Sequence, residues 1–82
     1  MQVLINITYQ GQSGNYLVDI DPGVDDNTIR NVCQEAVRAG EVLGINPNIP
    51  GNAFAHFVID RFHTNPQTRF VVRPKVPFGN LP

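Results

Sequence analysis

Residues 25–38, DDNTIRNVCQEAVR, carry the strongest structural pattern in the chain. Their apolar side chains recur with the spacing of one face of an α-helix: Ile29, Val32, Cys33, Ala36 and Val37. Charged and amide side chains occupy the positions between them and form a solvated face. The stretch therefore predicts one amphipathic helix. Because strand-like segments lie on both sides of it, this helix decides how the sheet is connected.

Both ends of the helix can be predicted from capping chemistry. Asp25 suits the N-cap, and Asp26 at the first helical position would interact favourably with the positive end of the helix dipole. Val24 and Ile29 are spaced as a hydrophobic staple. Gly40 lies within the apolar stripe, so either the helix ends there or its backbone packs closely against the sheet. We expect the helix to reach about residue 42, with Gly44 as a natural stop.

Two strands are predicted before the helix. Residues 3–9, VLINITY, alternate apolar and polar side chains, as a half-buried strand does. Residues 16–21, YLVDID, alternate in the same way, and GQSGN between the two runs supplies Gly11 and Gly14 for a turn. The two runs predict a hairpin with one wet face and a connection longer than the tightest two-residue kind.

Two more strands are predicted after the helix. Residues 45–52, INPNIPGN, have the composition of a loop. A third strand is predicted over residues 53–62, AFAHFVIDRF, and a fourth over residues 69–73, RFVVR, with the turn HTNPQT between them. Proline cannot donate to a strand ladder, so regular pairing should stop before Pro74.

Length and composition indicate a small folded domain. At 82 residues with 41% hydrophobic and 16% charged residues, the chain suits one compact core spanning residues 1–82, with residues 74–82 expected to form a flexible tail. The single cysteine, Cys33, cannot form an internal disulfide, and the N-terminal MQVLINITYQ lacks a secretion signal. No apolar run approaches the roughly 20 residues that cross a bilayer. These features predict a soluble, cytoplasmic protein.

Charge is divided unevenly along the chain. Residues 1–52 hold six acidic residues against Arg30 and Arg38, a sum of -4, and residues 53–82 hold four basic residues against Asp60, a sum of +3. Such an asymmetry is either a binding face for an anionic partner or a dipolar surface without a specific partner.

The element order is strand, strand, helix, strand, strand, which predicts an α+β fold with a four-stranded mixed sheet and one helix covering one face. The helical crossover sets the first and last strands side by side and parallel, with the second strand outside the first and the third outside the last. This is the β-grasp arrangement, ββαββ. A ferredoxin-like fold would need a second helix, and the six residues HTNPQT cannot form one.

Three segments give the chain a resemblance to the ubiquitin-like family over nearly its whole length. MQVLINI resembles the family's opening strand, VDIDPGVDDNTIRNV its acidic strand end and Thr-Ile helix start, and TRFVVRPKVPFG its last strand with arginines before a glycine tail. The resemblance implies a β-grasp fold and binding by other proteins through the open face of the sheet. Two features depart from the family pattern: no Gly-Gly pair follows the last strand, and the predicted third strand is longer and more aromatic.

The titratable residues do not predict an enzyme, a cofactor or a metal site. His56 and His63 are seven residues apart and have no cysteine or carboxylate cluster beside them at metal-ligand spacing. Cys33 on the apolar stripe is expected to be a small core residue, and Asp25 and Asp26 are expected to cap the helix.

The residues of the open sheet face predict a surface for binding another protein. Either alternating set of the third strand could face the core. If Phe57 and Ile59 are buried, the open face carries an apolar patch with a basic rim: Leu4, His56, Val58, Val71 and Arg73. A homodimer through this face, or scattered surface apolar residues without a partner, are the alternatives.

Two other functions remain open at this point. A small nucleic-acid-binding protein would use the basic C-terminal hairpin with Phe62 for stacking; its cations are Arg61, His63, Arg69, Arg73 and Lys75. Within this set, Arg61, Arg69 and Lys75 are the candidate anion-binding residues. A protein modifier or sulfur carrier would instead require processing after Gly79.

Overall fold

The computed structural model describes residues 1–75 as an α+β arrangement of four strands and one helix. In chain order the elements are β1 (Gln2–Tyr9), β2 (Gln12–Asp19), α1 (Asp26–Arg38), β3 (Val58–His63) and β4 (Thr68–Arg73). The predicted tail past Lys75, with its Gly79, lies outside the described residues.

The four strands form one mixed sheet in the order β2-β1-β4-β3. β1 and β4 lie side by side and parallel, as predicted, with Ile5 opposite Phe70 and Ile7 opposite Val72. The two outer pairs, β1 with β2 and β3 with β4, are antiparallel. This order is compatible with a β-grasp-like fold.

The connection between β1 and β2 is tighter than predicted. Tyr9 pairs with Gln12, so only Gln10 and Gly11 form the turn, and both have positive φ, 49° and 78°. Positive φ at both central residues is the geometry whose twist matches a two-residue hairpin. Gly14 is therefore not part of the turn but lies within β2.

The helix begins as predicted but ends earlier. Asp25 is the N-cap, and its carboxylate accepts the backbone N–H of Thr28 at 2.8 Å. The predicted extension to residue 42 is wrong, because Gly40 adopts a φ of 76° just after Arg38 and Ala39. The amides of Gly40 and Glu41 donate to carbonyls of the last turn, which is the Schellman pattern of a helix end.

The third strand is shorter than predicted. Residues 51–56 form successive turns, and β3 begins only at Val58. These turns bury Phe54, which is 1% exposed and packs edge-on against Tyr9 and Phe57. A turn lets Phe54 reach the core from outside the sheet, and an extended strand over the same residues would not.

The core lies between α1 and one face of the sheet. The strands contribute Val3, Ile5, Ile7, Phe70 and Val72, and the helix contributes Ile29, Cys33, Ala36 and Val37. Val42, Ile45, Ile49 and Phe54 close it from the segment between α1 and β3. Among the described residues, no polar or charged residue is buried. The opposite sheet face is left to solvent.

Candidate interaction surface

The open face consists of the side chains that point away from α1 on all four strands. Their alternation follows from the register, because β1 and β4 bury Ile5, Ile7, Phe70 and Val72 on the other side. The apolar residues of the open face, called the apolar patch below, are Leu4, Leu17, Val58, Phe62 and Val71.

One row of residues crosses the open face from edge to edge. Leu17 on β2 is opposite Leu4 on β1, Leu4 is opposite Arg69 on β4, and Arg69 is opposite Phe62 on β3. With strands about 4.8 Å apart, the row is roughly 14 Å long. Leu17 is 50% exposed and Phe62 is 46% exposed, although both are large apolar side chains. Exposed apolar side chains grouped on one face are typical of a surface that another molecule covers.

The charged side chains of the open face are not equally available to a partner. Arg73 Nε lies 2.7 Å from Asp60 Oδ2, and the two side chains are 41% and 38% exposed. The guanidinium of Arg69, between Leu4 and Phe62, forms no hydrogen bond or ion pair with any residue of the described part. Arg69 is therefore the cation on this face that a carboxylate of a partner could meet.

The structure brings together most of the residues predicted for this site. Phe57 and Ile59 pack against the core, which is the condition under which the open face was predicted. Leu4, Val58 and Val71 then lie on that face, and Arg73 lies opposite Val58. His56 does not join them, because it lies in the turns that precede β3 and not on a strand of the sheet.

Two members of the apolar patch were missed from the sequence. Leu17 alternates with Tyr16 and Val18, so the same strand pattern already placed it on the outer side of the hairpin. Phe62 was considered only for base stacking, although it belongs to the same alternating set as Val58 on the third strand.

The basic residues of the C-terminal hairpin are divided between the two sides of the sheet. Arg61 points to the helix side, where its guanidinium donates to the carbonyls of Pro22 and Val24 and to Asp26 Oδ1 at 2.7–2.9 Å. Its Cζ also lies 4.9 Å from the centre of the Phe70 ring.

The remaining predicted cations do not gather around Arg61. His63 is on the same side of the sheet, with its ring 6.4 Å from that of Phe70. Arg69 points to the opposite side, and Lys75 is exposed beyond the end of β4. The three predicted anion-binding residues, Arg61, Arg69 and Lys75, are therefore not brought together in one cluster.

Two titratable groups at α1 have shifted pKa values: Cys33 within the helix and Asp25 at its N-cap. Burial raises the pKa of the Cys33 thiol to about 12, so the thiol stays protonated and packs as a core residue. Hydrogen bonds from Thr28, by its side chain first and its backbone amide second, lower the pKa of Asp25. Both shifts have a structural cause away from the open face.

A shallow groove of about 330 Å³ lies between α1 and the turns of residues 51–55. Its lining is mainly amide: Asn27, Asn31, Gln34 and Asn52, with Arg30, Gly51, Phe54 and Ala55. The side chains of the groove already bind the chain itself, since Arg30 Nε donates to the carbonyl of Phe57 and Gln34 donates to that of Gly51. These contacts hold the turns against the helix.

Two features are absent from the part of the chain that the structure describes. Within residues 1–75, no three His, Cys, Asp or Glu side chains come together as a possible metal-binding group. No helix in this range is long and apolar enough to cross a membrane. Comparison with protein-family models, with curated protein sequences and with solved structures gave no match. The open face is therefore defined by the geometry of this chain alone.

Proposed function

We propose that the protein is a non-catalytic, ubiquitin-like interaction module that binds another protein through the open face of its sheet. Its role would be that of an adaptor or of a small subunit in a larger assembly. The observation that carries the proposal is the apolar patch, whose Leu17 and Phe62 are each about half exposed at the two ends of one continuous row.

The ubiquitin-like, β-grasp part of the proposal is supported by the arrangement of the elements. One helix crosses one face of a sheet in the order β2-β1-β4-β3, with β1 and β4 parallel at the centre. The resemblance of MQVLINI, VDIDPGVDDNTIRNV and TRFVVRPKVPFG to that family points to the same fold.

The chemistry of the open face indicates the kind of partner that would fit. A partner segment would need apolar side chains to cover Leu4, Leu17 and Phe62, and a carboxylate positioned over Arg69. Aromatic and arginine side chains that become buried in an interface often contribute most to protein–protein affinity. A short apolar segment with one acidic residue meets both requirements.

The titratable groups of the open face favour binding over acid–base chemistry. Asp60 is held by Arg73, and an arginine does not lose its proton near neutral pH. We place the protein in the cytoplasm as part of the same proposal, because its single cysteine, Cys33, gives it no internal disulfide, as is usual for proteins of reducing compartments.

The proposal is tested by affinity capture from the native cell with three forms of the full chain. Val71→Lys places a charge in the apolar patch, whereas Asn31→Lys adds the same charge on the exposed side of α1 and serves as the matched control. We expect the unmodified chain and Asn31→Lys to recover the same protein and Val71→Lys to lose it. Equal recovery by all three would overturn binding through the open face.

Two measurements on the same samples test the other functions considered for this chain. Binding to short single-stranded oligonucleotides that weakens steeply with added salt would replace the proposal by nucleic-acid binding. An intact mass ending at Gly79, or an adduct there, would replace it by protein modification.

A further inference from the structure

The outer edge of β2 carries backbone groups that no other strand of the described sheet uses. The amide of Ile20 donates to the carbonyl of Met1 at 3.0 Å, and this hydrogen-bonded pair lies two residues along the strands from the pair Val3 and Val18. Because bonding alternates along an antiparallel pair, Val18, Tyr16 and Gly14 bond to β1. The N–H and C=O groups of Asn15, Leu17 and Asp19 therefore point outward, away from the sheet.

The two edges of the sheet differ in how they are protected. β3 has an inward-pointing charge, Arg61, fixed to the start of α1, and Arg30 holds the carbonyl of Phe57 where the strand begins. Charges that point inward are a known protection of an edge strand. Gly44 lies against the Ser13 carbonyl at the hairpin end of β2, but residues 15–19 include no proline and only one charged side chain, Asp19, which points to the open face. β2 is the edge that can accept another strand.

We propose that β2 pairs with β2 of a second copy of this chain, antiparallel and centred on Leu17, to join two sheets into one. In this register Leu17 exchanges both of its outward backbone hydrogen bonds with its counterpart, and Asn15 lies opposite Asp19 of the other copy. This dimer is separate from the binding of another protein through the open face, and it does not depend on that proposal.

The side chains of β2 favour a second copy as the occupant, in this register. Asn15 accepts a hydrogen bond from Asn6 through its Oδ1, so its own amide N–H groups remain able to donate to the opposing Asp19 carboxylate. Oδ1 of Asp19 pairs with the N-terminal ammonium of Met1 at 2.7 Å, so Oδ2 would be the acceptor. Because the dimer has two-fold symmetry, this contact between Asn15 and Asp19 occurs twice. A register shifted toward the hairpin would use Ser13, whose carbonyl is already in close contact with Gly44.

The same register also covers exposed apolar surface. Leu17 is 50% exposed in one copy and would lie against Leu17 of the other, with Leu4 beside each of them. Cross-strand pairs of apolar side chains at this distance stabilise a sheet. The row that ends at Leu17 in one copy then continues into the row of the second copy.

Amide hydrogen exchange of the unmodified chain tests the pairing directly. We expect the outward amides of Asn15, Leu17 and Asp19 to become protected as protein concentration rises, whereas the amide of Tyr16, already bonded to β1, should not change. In a mixed sample of labelled and unlabelled chains, the α-protons of Tyr16 and Val18 of different copies should give a cross-peak. Absence of concentration-dependent protection would overturn the proposal.

Two variants separate edge pairing from association through the open face. Leu17→Pro removes an outward N–H that the single chain does not use, and proline is tolerated on an edge strand. We expect it to raise the dimer dissociation constant at least about tenfold, because two hydrogen bonds are lost across the axis. Phe62→Lys changes the open face at the far edge of the sheet and should dimerise like the unmodified chain.

Sedimentation equilibrium of the three chains gives the readout, with circular dichroism to confirm that each is folded. Equal dimerisation of Leu17→Pro and the unmodified chain would overturn the proposal. Loss of the dimer in Phe62→Lys but not in Leu17→Pro would also overturn it, in favour of a dimer through the open face. If Leu17→Pro does not fold, the exchange measurement on the unmodified chain still decides.

Discussion

Asp25 acts on the fold through its own carboxylate. Its Oδ1 accepts the amide of Thr28 at 2.8 Å and so satisfies one of the N–H groups that the first turn of α1 leaves unpaired. Hydrogen bonds from the side chain and the backbone amide of Thr28 favour the ionised carboxylate, and they lower the pKa of Asp25 from the ordinary value of 3.8. Because the pKa is lower in the folded chain than in the unfolded one, protonation must weaken the folded state.

We expect the substitution Asp25→Asn to change how stability depends on acid rather than whether the helix is capped. The contribution of the Asp25 charge is fully present above the unfolded pKa of 3.8 and is lost as the pH falls through the lower folded value. The urea midpoint of the unmodified chain should therefore approach that of Asp25→Asn as the pH falls. Asp25→Ala removes the acceptor and should be less stable than Asp25→Asn throughout. A constant difference between the unmodified chain and Asp25→Asn would contradict this.

Arg61 joins three parts of the chain with one planar group. Its guanidinium donates to Pro22 O and Val24 O before the helix and pairs with Asp26 at 2.7 Å, while its side chain is 23% exposed. Five fixed N–H donors allow one arginine to serve several acceptors, which a lysine cannot do. The residue therefore holds β3 to the start of α1.

We expect Arg61→Gln to lower the free energy of unfolding by about 2 kcal/mol, since carbonyl acceptors lose a charged donor. Arg69→Gln is the matched control on the opposite side of the sheet and should change it by less than about 0.5 kcal/mol. The loss in the free energy of unfolding for Arg61→Lys should lie between those for Arg61→Gln and Arg69→Gln. Urea unfolding of the three variants measures the difference, and equal effects of Arg61→Gln and Arg69→Gln would show that the contacts of Arg61 do not stabilise the fold.

At the scale of elements, glycines set where the helix ends and how closely its exit packs on β2. Gly40 takes a φ of 76° to end α1, yet a side chain there would meet nothing within 4 Å. Gly14 has the opposite situation, because a Cβ there would overlap the carbonyl oxygen of Leu43. The first glycine is required by conformation and the second by space.

Alanine at the two positions should separate these requirements. We expect Gly40→Ala to cost about 1 kcal/mol for a left-handed backbone, and Gly14→Ala at least about 2 kcal/mol, because β2 and the segment after α1 must move apart. Gly51→Ala, whose nearest contact would be an ordinary 3.7 Å, is the control. Thermal unfolding of all three gives the order, and a smaller loss for Gly14→Ala than for Gly40→Ala would contradict the close packing.

At the scale of the whole molecule, the segment between α1 and β3 is part of the core. Phe54 is 1% exposed, and its ring centre lies 5.4 Å from that of Tyr9 and 4.9 Å from that of Phe57. Ile45 and Ile49 of the same segment are buried as well. We therefore expect the segment to unfold together with the sheet.

Phe54→Ala tests this cooperative unit. It should lower the free energy of unfolding by about 3–5 kcal/mol, out of a total of about 4–12 kcal/mol for a chain of this length. Phe62→Ala removes the same side chain from the open face and should cost less than about 1 kcal/mol. Denaturant unfolding followed by both circular dichroism and aromatic fluorescence is the measurement, and a separate early transition for Phe54→Ala would indicate an independent loop.

The sequence predicted more of the fold than of the candidate site. Alternation along residues 3–9 and 69–73 was enough to place Ile5, Ile7, Phe70 and Val72 inside, and hence Leu4 and Val71 outside. For His56 the alternation was misleading, because the residues before Val58 fold into turns rather than a strand. Alternating apolar residues look the same whether a strand or a turn buries every second side chain.

The sequence by itself determined the elements whose cause is local. These are the amphipathic helix with its Asp25 cap, the hairpin before it and the end of pairing before Pro74, since capping, periodicity and a missing N–H act within a few residues. Tertiary structure alone decided the side of the sheet for Arg61 and the row from Leu17 to Phe62. Both depend on which strands become neighbours and in what register, and that is fixed only when the helix and sheet bury their apolar sides against each other.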